Sequence, residues 1–254
     1  MFIYENGIFV SSLLKENNVP HGFSTRVGGI SKLPHTMAMN VGFGRGDDDD
    51  TVMKNINLLC KMSGIENTNT AFSPQIHSRI IRKIENNSFV SPLDSCDGFI
   101  TNVSGVSLLV RMADCTPVLF YGKGVVCAVH AGWRGTVSGI CEEAVAKFAE
   151  YGVEPKEINV AIGHCIHSCC FQVKEDFVDA VVNERGTEFA SRHIKKGEDG
   201  FFADIVNMNE ELLRASGVVN IDVSPHCTCC NPDLFHSHRK TQGVRGTMGA
   251  VISL

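Results

Sequence analysis

Three short segments of this 254-residue chain concentrate unusual side chains: Gln75-Ile76-His77-Ser78, Ala113-Asp114-Cys115-Thr116-Pro117, and Val129-His130-Ala131-Gly132-Trp133-Arg134-Gly135-Thr136. Each adjoins a strand-like run, and strand ends are where sites are commonly built. The third delivers His130 from an apolar strand into a Gly-bounded turn that holds the only Trp and opens a helix at Thr136. One Cys and two His from three separate elements make a set suited to zinc, with a fourth position left for water or substrate. A structural zinc usually brings a fourth protein ligand, often in Cys-x-x-Cys spacing, and no such pair adjoins these segments. Asp114, Gln75 or a backbone carbonyl can orient a histidine from behind. A strand-end His or a buried Cys is otherwise a packing residue, so composition and placement leave both readings open.

Cysteine is the outlier of the composition. Eleven are present, at positions 60, 96, 115, 127, 141, 165, 169, 170, 227, 229 and 230, beside ten histidines. The start, MFIYENGIFV, lacks the basic region and apolar run of a signal peptide. An odd count in such a chain predicts reduced thiols or metal ligands in the cytoplasm rather than a disulfide framework. His164-Cys165 with Cys169-Cys170, and His226-Cys227 with Cys229-Cys230, suggest a second metal centre. Their irregular spacing favours reduced thiols instead, with redox sensing or adventitious metal as alternatives.

The remaining composition narrows the function classes. With 23 basic and 28 acidic residues the net charge is -5, which indicates no basic face for nucleic acid. The longest apolar runs, such as Val125 to Val129, fall far short of the roughly 20 residues of a membrane helix. With 43% apolar residues the chain can bury a substantial core. No Ser-rich or Pro-rich tract divides it, so residues 1–254 read as one domain.

Asp47 to Asp50 precede TVMKNINLLCKMSG, whose Val52, Ile56, Leu59 and Met62 recur near helical spacing, and the acidic run reads as a helix entrance. Further helices are predicted over Thr136 to Glu150, Lys174 to Asn183 and Asp204 to Ala215. Strands are predicted over Val106 to Met112, Val118 to Tyr121, Val125 to His130, Ile158 to Ile162, Val219 to Val223 and Ala250 to Leu254. Continuous apolar strands require cover on both faces. The fold class is therefore α+β (mixed α/β), a layered sandwich of sheets flanked by helices.

Seven ordered segments carry a resemblance: FSTRVGGIS at Phe23 to Ser31, the Asn40 segment leading into GDDDDTVMKN, QIHS, DGFIT at Asp97 to Thr101, ADCTPVLFY, VHAGWRGT, and the carboxyl-terminal CT...FHSHR. Together they resemble the laccase-domain family over nearly the whole chain. Its members are also described as multicopper polyphenol oxidase-like proteins, purine nucleoside phosphorylases and the peptidoglycan editing factor. The resemblance implies an α/β sandwich with His77, Cys115 and His130 as zinc ligands and catalytic residues. It also implies phosphorolysis of adenosine, inosine, guanosine and methylthioadenosine, with adenosine deamination as a companion activity. The chain lacks the dense His, Cys and Met motifs that a trinuclear cluster plus a blue-copper site would need, although imidazole and thiolate also accept copper as an occupant.

The implied substrates are a small-molecule nucleoside and phosphate, and the sequence leaves the oligomeric state open. Arg26, in a Gly-rich turn, and Arg134, beside the His130 turn, offer forks for phosphate; Arg134 can alternatively stack on Trp133. Asn40 and Gln75 can present a donor and an acceptor to a purine edge or ribose, or form buried loop hydrogen bonds. Asp97, in an Asp-Gly pair, reads as a turn former outside the site. Thr247 stands where the family commonly has an arginine, with Arg245 two residues earlier, and His236 and His238 replace aromatic residues of an FFSYR-like segment. Rival readings are a metal-free hydrolase in which His130 activates Cys115, a peptidoglycan precursor editing amidase, a polyphenol oxidase, and a non-catalytic zinc module.

Overall fold

Strands whose successive residues are all apolar must be covered on both sides, and that requirement sets the architecture. The computed structural model describes residues 1–66 and 69–254. Two six-stranded sheets pack face to face. From edge to edge the first contains Phe2–Glu5, Ile8–Ser11, His21–Ser24, Met248–Ser253, Val106–Met112 and Asn69–Ala71. The second contains Asn220–Val223, Asn159–Ile162, Thr116–Gly122, Val125–Ala131, Gly98–Thr101 and Ile81–Lys83. Most pairings are antiparallel; three involving edge strands are parallel.

Side-chain alternation sorts residues between layers. Val126 and Ala128 enter the core between the sheets with Phe23, Leu108, Val110 and Leu119. Their neighbours Val125, Cys127 and Val129 face outward onto Ile140, Ala144 and Phe148 of the helix Ile140–Ala149 and onto Leu213 of the helix Ile205–Ala215. On the far side, Leu109 and Val251 meet Val52, Ile56 and Leu59 of the helix Asp49–Met62. The result is a helix-sheet-sheet-helix sandwich, the predicted α+β class. A small sheet of Gln172–Val173, Gly200–Ala203 and Ile194–Gly197 carries a satellite core around Phe177, Val181 and Phe189.

The acidic run does open a helix. Asp48 is its N-cap and accepts from Thr51 N at 2.7 Å, while Asp49 and Asp50 occupy the first turn. Asp47 instead accepts from Ser31, Thr36 and Asn40 side chains and ties the preceding loop together. The helix predicted over Thr136 to Glu150 is two helices, Trp133–Ser138 and Ile140–Ala149. Gly139, at φ +92°, takes a left-handed conformation that ends the first, a break that apolar spacing does not reveal. The central hairpin of the second sheet turns through Lys123 and Gly124, both at positive φ, as a two-residue hairpin requires. Among the described residues, no helix is long and apolar enough to cross a membrane.

Candidate active site

His130 is the penultimate residue of Val125–Ala131 and shares the parity of Val126 and Ala128, so it stands at one end of the gap between the sheets. Cys115 lies just before Thr116–Gly122, the strand paired to it with Pro117 opposite His130. His77 arrives on the loop between Asn69–Ala71 and Ile81–Lys83, with positive φ of 58°. Ligand atoms of the three residues lie within 4.8 Å of one another. Cys115 Sγ is 3.7 Å from His77 Nε2, and the two imidazoles meet edge to face with centroids 5.0 Å apart. The donor set has the type and spacing of a metal site, with His130 buried, Cys115 half-buried and His77 exposed.

The residue that organises this group is Asp97, which the Asp-Gly signal assigned to a turn. Its fully buried carboxylate accepts from His130 Nδ1 at 2.9 Å, His77 N at 3.0 Å, and Ser78 N and Oγ at 2.6 and 2.7 Å. It therefore fixes the His130 ring and shapes the His77 loop at once, the role proposed for Asp114 or Gln75. Asp114 instead accepts from Thr228 Oγ1 at 2.6 Å and Arg239 N at 2.8 Å. Gln75 bridges both backbone groups of Arg111. Asp97 was legible only as a local dipeptide, because its partners come from two distant segments.

Electrostatics couple the group. Burial alone would raise the Cys115 thiol, but the adjacent His130 and His77 overcome it and pull the pKa down to about 6. Burial alone would lower His130; the Cys115 sulfur and the Asp97 carboxylate prevail and push it up to about 9. Burial likewise works against ionised Asp97, and its hydrogen bonds to His130 and Ser78 hold its pKa below the ordinary carboxylate value. Without a cation the pair thus approaches a thiolate beside an imidazolium, and a thiolate is the form that binds a metal.

Two recesses meet at His77 and Cys115. One, of about 320 Å³, is lined by Arg45, Arg111, Arg245, Gln75 and Thr247 together with the His-Cys-His group. No acidic residue lines it, and among the described residues none of these arginines has a carboxylate within ion-pair distance. Arg111 packs over Phe43 and Phe72 and donates to Ser73 O. Arg245 is buried, and its Nε has no hydrogen-bond partner among the described residues; burial, with Arg45 nearby, brings its pKa down to about 10. The other recess, of about 210 Å³, is lined by Trp133, Phe171, Ile166, His238 and Arg239.

Of the residues singled out from sequence, Gln75 lines the first recess and His238 the second. Arg26 lines a separate hollow and donates to the carbonyls of Met37 and Pro232. Arg134 stacks on Trp133, its guanidinium carbon 4.1 Å from the ring centroid, and lines neither recess. Asn40 is buried, bonded to Gly42, Asp47 and Thr247 N. His236 is also buried, beside Met39 O. Arg45 and Arg111 escaped sequence reading because neither lies in one of the chemistry-bearing segments.

Residues 20–254 match a family model described as multi-copper polyphenol oxidoreductase laccase. Purine nucleoside phosphorylase YlmD of Bacillus subtilis (strain 168) is 32% identical, over 92% of this chain and 87% of its own. Purine nucleoside phosphorylase YfiH of Escherichia coli (strain K12) is 31% identical, over 91% of this chain and 92% of its own. The crystal structure of Bacillus licheniformis hypothetical protein YfiH superposes with a TM-score of 0.91 at 28% identity, covering 100% of this chain and 98% of that one. For YlmD from Geobacillus stearothermophilus the TM-score is 0.85 at 29% identity, covering 99% and 98%. Similarity of this extent, in sequence and in fold, places the result beyond a shared architecture: the chain belongs to the multi-copper polyphenol oxidoreductase laccase family.

Proposed function

We propose that residues 1–254 act as one zinc-dependent purine nucleoside phosphorylase domain, taking adenosine, inosine, guanosine and methylthioadenosine, with adenosine deamination as a second activity. The observation that carries this reading is the convergence of Arg45, Arg111 and Arg245, without a neutralising carboxylate, on the recess that contains His77, Cys115 and His130. Such a recess suits a multiply charged anion. The names of the two phosphorylase relatives support the same reading.

In phosphorolysis an oxygen of phosphate forms a bond to the anomeric carbon of ribose as the bond to the purine nitrogen breaks, and the purine leaves with that electron pair. The arginines would hold phosphate and offset its charge as it approaches. The aromatic recess of Trp133 and Phe171 would stack the purine, with the sugar spanning His77 and Cys115. Asp97 keeps His130 in one orientation through either reaction. When bound by His77, Cys115 and His130, zinc supplies a fixed divalent charge and lowers the pKa of water toward about 7, as deamination requires.

Incubation with inosine and phosphate is expected to yield hypoxanthine and ribose 1-phosphate, and Cys115→Ala to abolish both. Equal hypoxanthine without phosphate would rule out phosphorolysis. Arg245→Gln is expected to raise the KM for phosphate about 10- to 100-fold, with a much smaller change for inosine, because one charge-assisted contact is worth about 1.5–3 kcal/mol. Equal effects on both substrates would remove the anion recess from the scheme.

The low thiol and high imidazole pKa values of Cys115 and His130 also suit a metal-free cysteine hydrolase. Metal content separates the readings: as-purified protein holding no zinc at the His-Cys-His group favours the hydrolase. A Cβ at Gly132 would lie 2.5 Å from His77 Cδ2, so Gly132→Ala is expected to displace that ring and weaken zinc binding there by about tenfold or more. Competition with a chromogenic chelator measures it, and unchanged affinity would count against His77 as a ligand.

A further inference from the structure

Away from these recesses, another set of metal-ligating side chains converges. Cys169 and Cys170, in the turn before Gln172–Val173, meet Cys227 and Cys230 from the turn after Asn220–Val223, and all four Sγ atoms lie within 4.8 Å of one another. Cys230 Sγ is 3.4 Å from the sulfurs of both Cys169 and Cys170. Bonded sulfurs would be about 2.05 Å apart. Four sulfurs at about 2.3 Å from one ion stand about 3.8 Å from each other, so separations of 3.4 Å and a spread within 4.8 Å bracket the spacing that one shared ion needs. Cys227 and Cys230 are also in Cys-x-x-Cys spacing, which the extra Cys229 between them obscures in the sequence.

The backbone around the four thiols is held in place. Cys165 and Cys227 form a parallel bridge, and Thr228 N donates to Cys165 O at 2.9 Å. The Cys170 and Phe171 amides both donate to His167 O, and Asn231 Nδ2 donates to Cys227 O. His167 N reaches Cys227 Sγ at 3.5 Å, an outer hydrogen bond of the kind that orients a thiolate ligand. The Arg239 guanidinium, bonded to Cys170 O and Gln172 O, brings positive charge to a centre whose four thiolates would exceed the charge of a divalent ion. Cys227 is buried while Cys169 and Cys230 reach the surface, so an ion can enter from solvent.

We propose that Cys169, Cys170, Cys227 and Cys230 form a second, structural zinc site, distinct from the His-Cys-His group and closed by four protein ligands. On binding, the ion takes the place of the thiol protons, which pass to solvent, and it cross-links the two turns. The link bears on the recesses. Thr228, between two of the ligands, holds Asp114 beside Cys115, and Phe171, next to Cys170, lines the aromatic recess.

The test is zinc content per chain, measured by mass spectrometry on full-length protein made with zinc in the medium and purified without chelator. The expectation is two zinc ions in the wild type and one in the Cys169→Ser/Cys230→Ser variant, which should also melt at lower temperature. Since that variant can fail to fold, His77→Ala/Cys115→Ala protein answers the same question from the other side: it should keep one zinc, and its cobalt-substituted form should show intense thiolate-to-cobalt absorption. No zinc in His77→Ala/Cys115→Ala protein overturns the proposal. So does a Cys169→Ser/Cys230→Ser variant that holds as much zinc as the wild type. An oxidised disulfide among these four residues in protein prepared under reducing conditions would overturn it as well.

Discussion

Asp97→Ala is expected to lower the unfolding free energy by about 3–5 kcal/mol and to abolish organised metal binding, because it removes the buried acceptor at the centre of a charged network and leaves the buried His130 without its partner. The carboxylate satisfies His77 N, Ser78 N, Ser78 Oγ and His130 Nδ1. Each buried donor left without a partner costs about 1–3 kcal/mol, so even partial rescue by water leaves a large loss. Asp97→Asn separates the two effects. It keeps the volume and one acceptor oxygen, so it should be less destabilising, yet its amide turns donors toward donors and weakens zinc affinity by about 10- to 100-fold. Urea denaturation and chelator competition on both variants make the check. An Asp97→Ala protein with wild-type stability would show that the segments around His77 and His130 hold themselves.

Acid lability is the second large effect. His164 is fully buried against Phe235, with centroids 4.3 Å apart; its Nε2 is paired with Ser24 O and its Nδ1 has no partner among the described residues. Burial brings its pKa down to about 3. Burial, with the charge of Arg26 nearby, brings His236 down to about 4. Both rings are neutral in the folded protein, whereas the unfolded chain takes up protons near the ordinary histidine value of about 6.5. The unfolded state thus binds more protons below that pH, and stability falls as pH falls, from about 6.5 until the folded rings themselves titrate. Each ring accounts for about 1.4 kcal/mol per pH unit in that window, or about 2 kcal/mol at pH 5, a large fraction of a typical 5–15 kcal/mol. His164→Phe should narrow the stability difference between pH 7.5 and pH 5 by about 2 kcal/mol, even if it is less stable at the higher pH. An undiminished difference would mean that His164 is not a source of the lability.

Regular periodicity made much of the fold legible. The strand Val106–Met112 and the helices beginning near Asp49, Glu175 and Ile205 lie within a few residues of expectation. In each, the pattern of buried residues is carried by the segment itself. Gly139 escaped, because a left-handed residue inside an otherwise apolar helical pattern leaves no trace in spacing. In the site, residue type and placement made His77, Cys115 and His130 candidates but left packing roles open, and the resemblance singled them out as a set; Cys115 and His130 do stand at strand ends, while His77 lies on a loop. Asp97, Arg45 and Arg111 did not, since what makes them notable is whom they meet across sheets and loops. Arg26, expected as a phosphate fork from its Gly-rich turn, turns to loop carbonyls, while Arg134 takes the alternative foreseen for it and sits over the Trp133 ring.

The Lys123-Gly124 hairpin has a bearing on evolution as well as on folding. Because its ladder sets Pro117 against His130, sliding one strand by a single step would send the imidazole under the helical roof and swing Val129 toward the gap between the sheets. Side chains alternate faces from one residue to the next, so a single-step slip leaves no intermediate orientation for the imidazole. Insertions or deletions at that bend are consequently all or nothing for the imidazole, and variation in length is better accommodated by the satellite core around Phe189, which contains none of His77, Cys115 and His130.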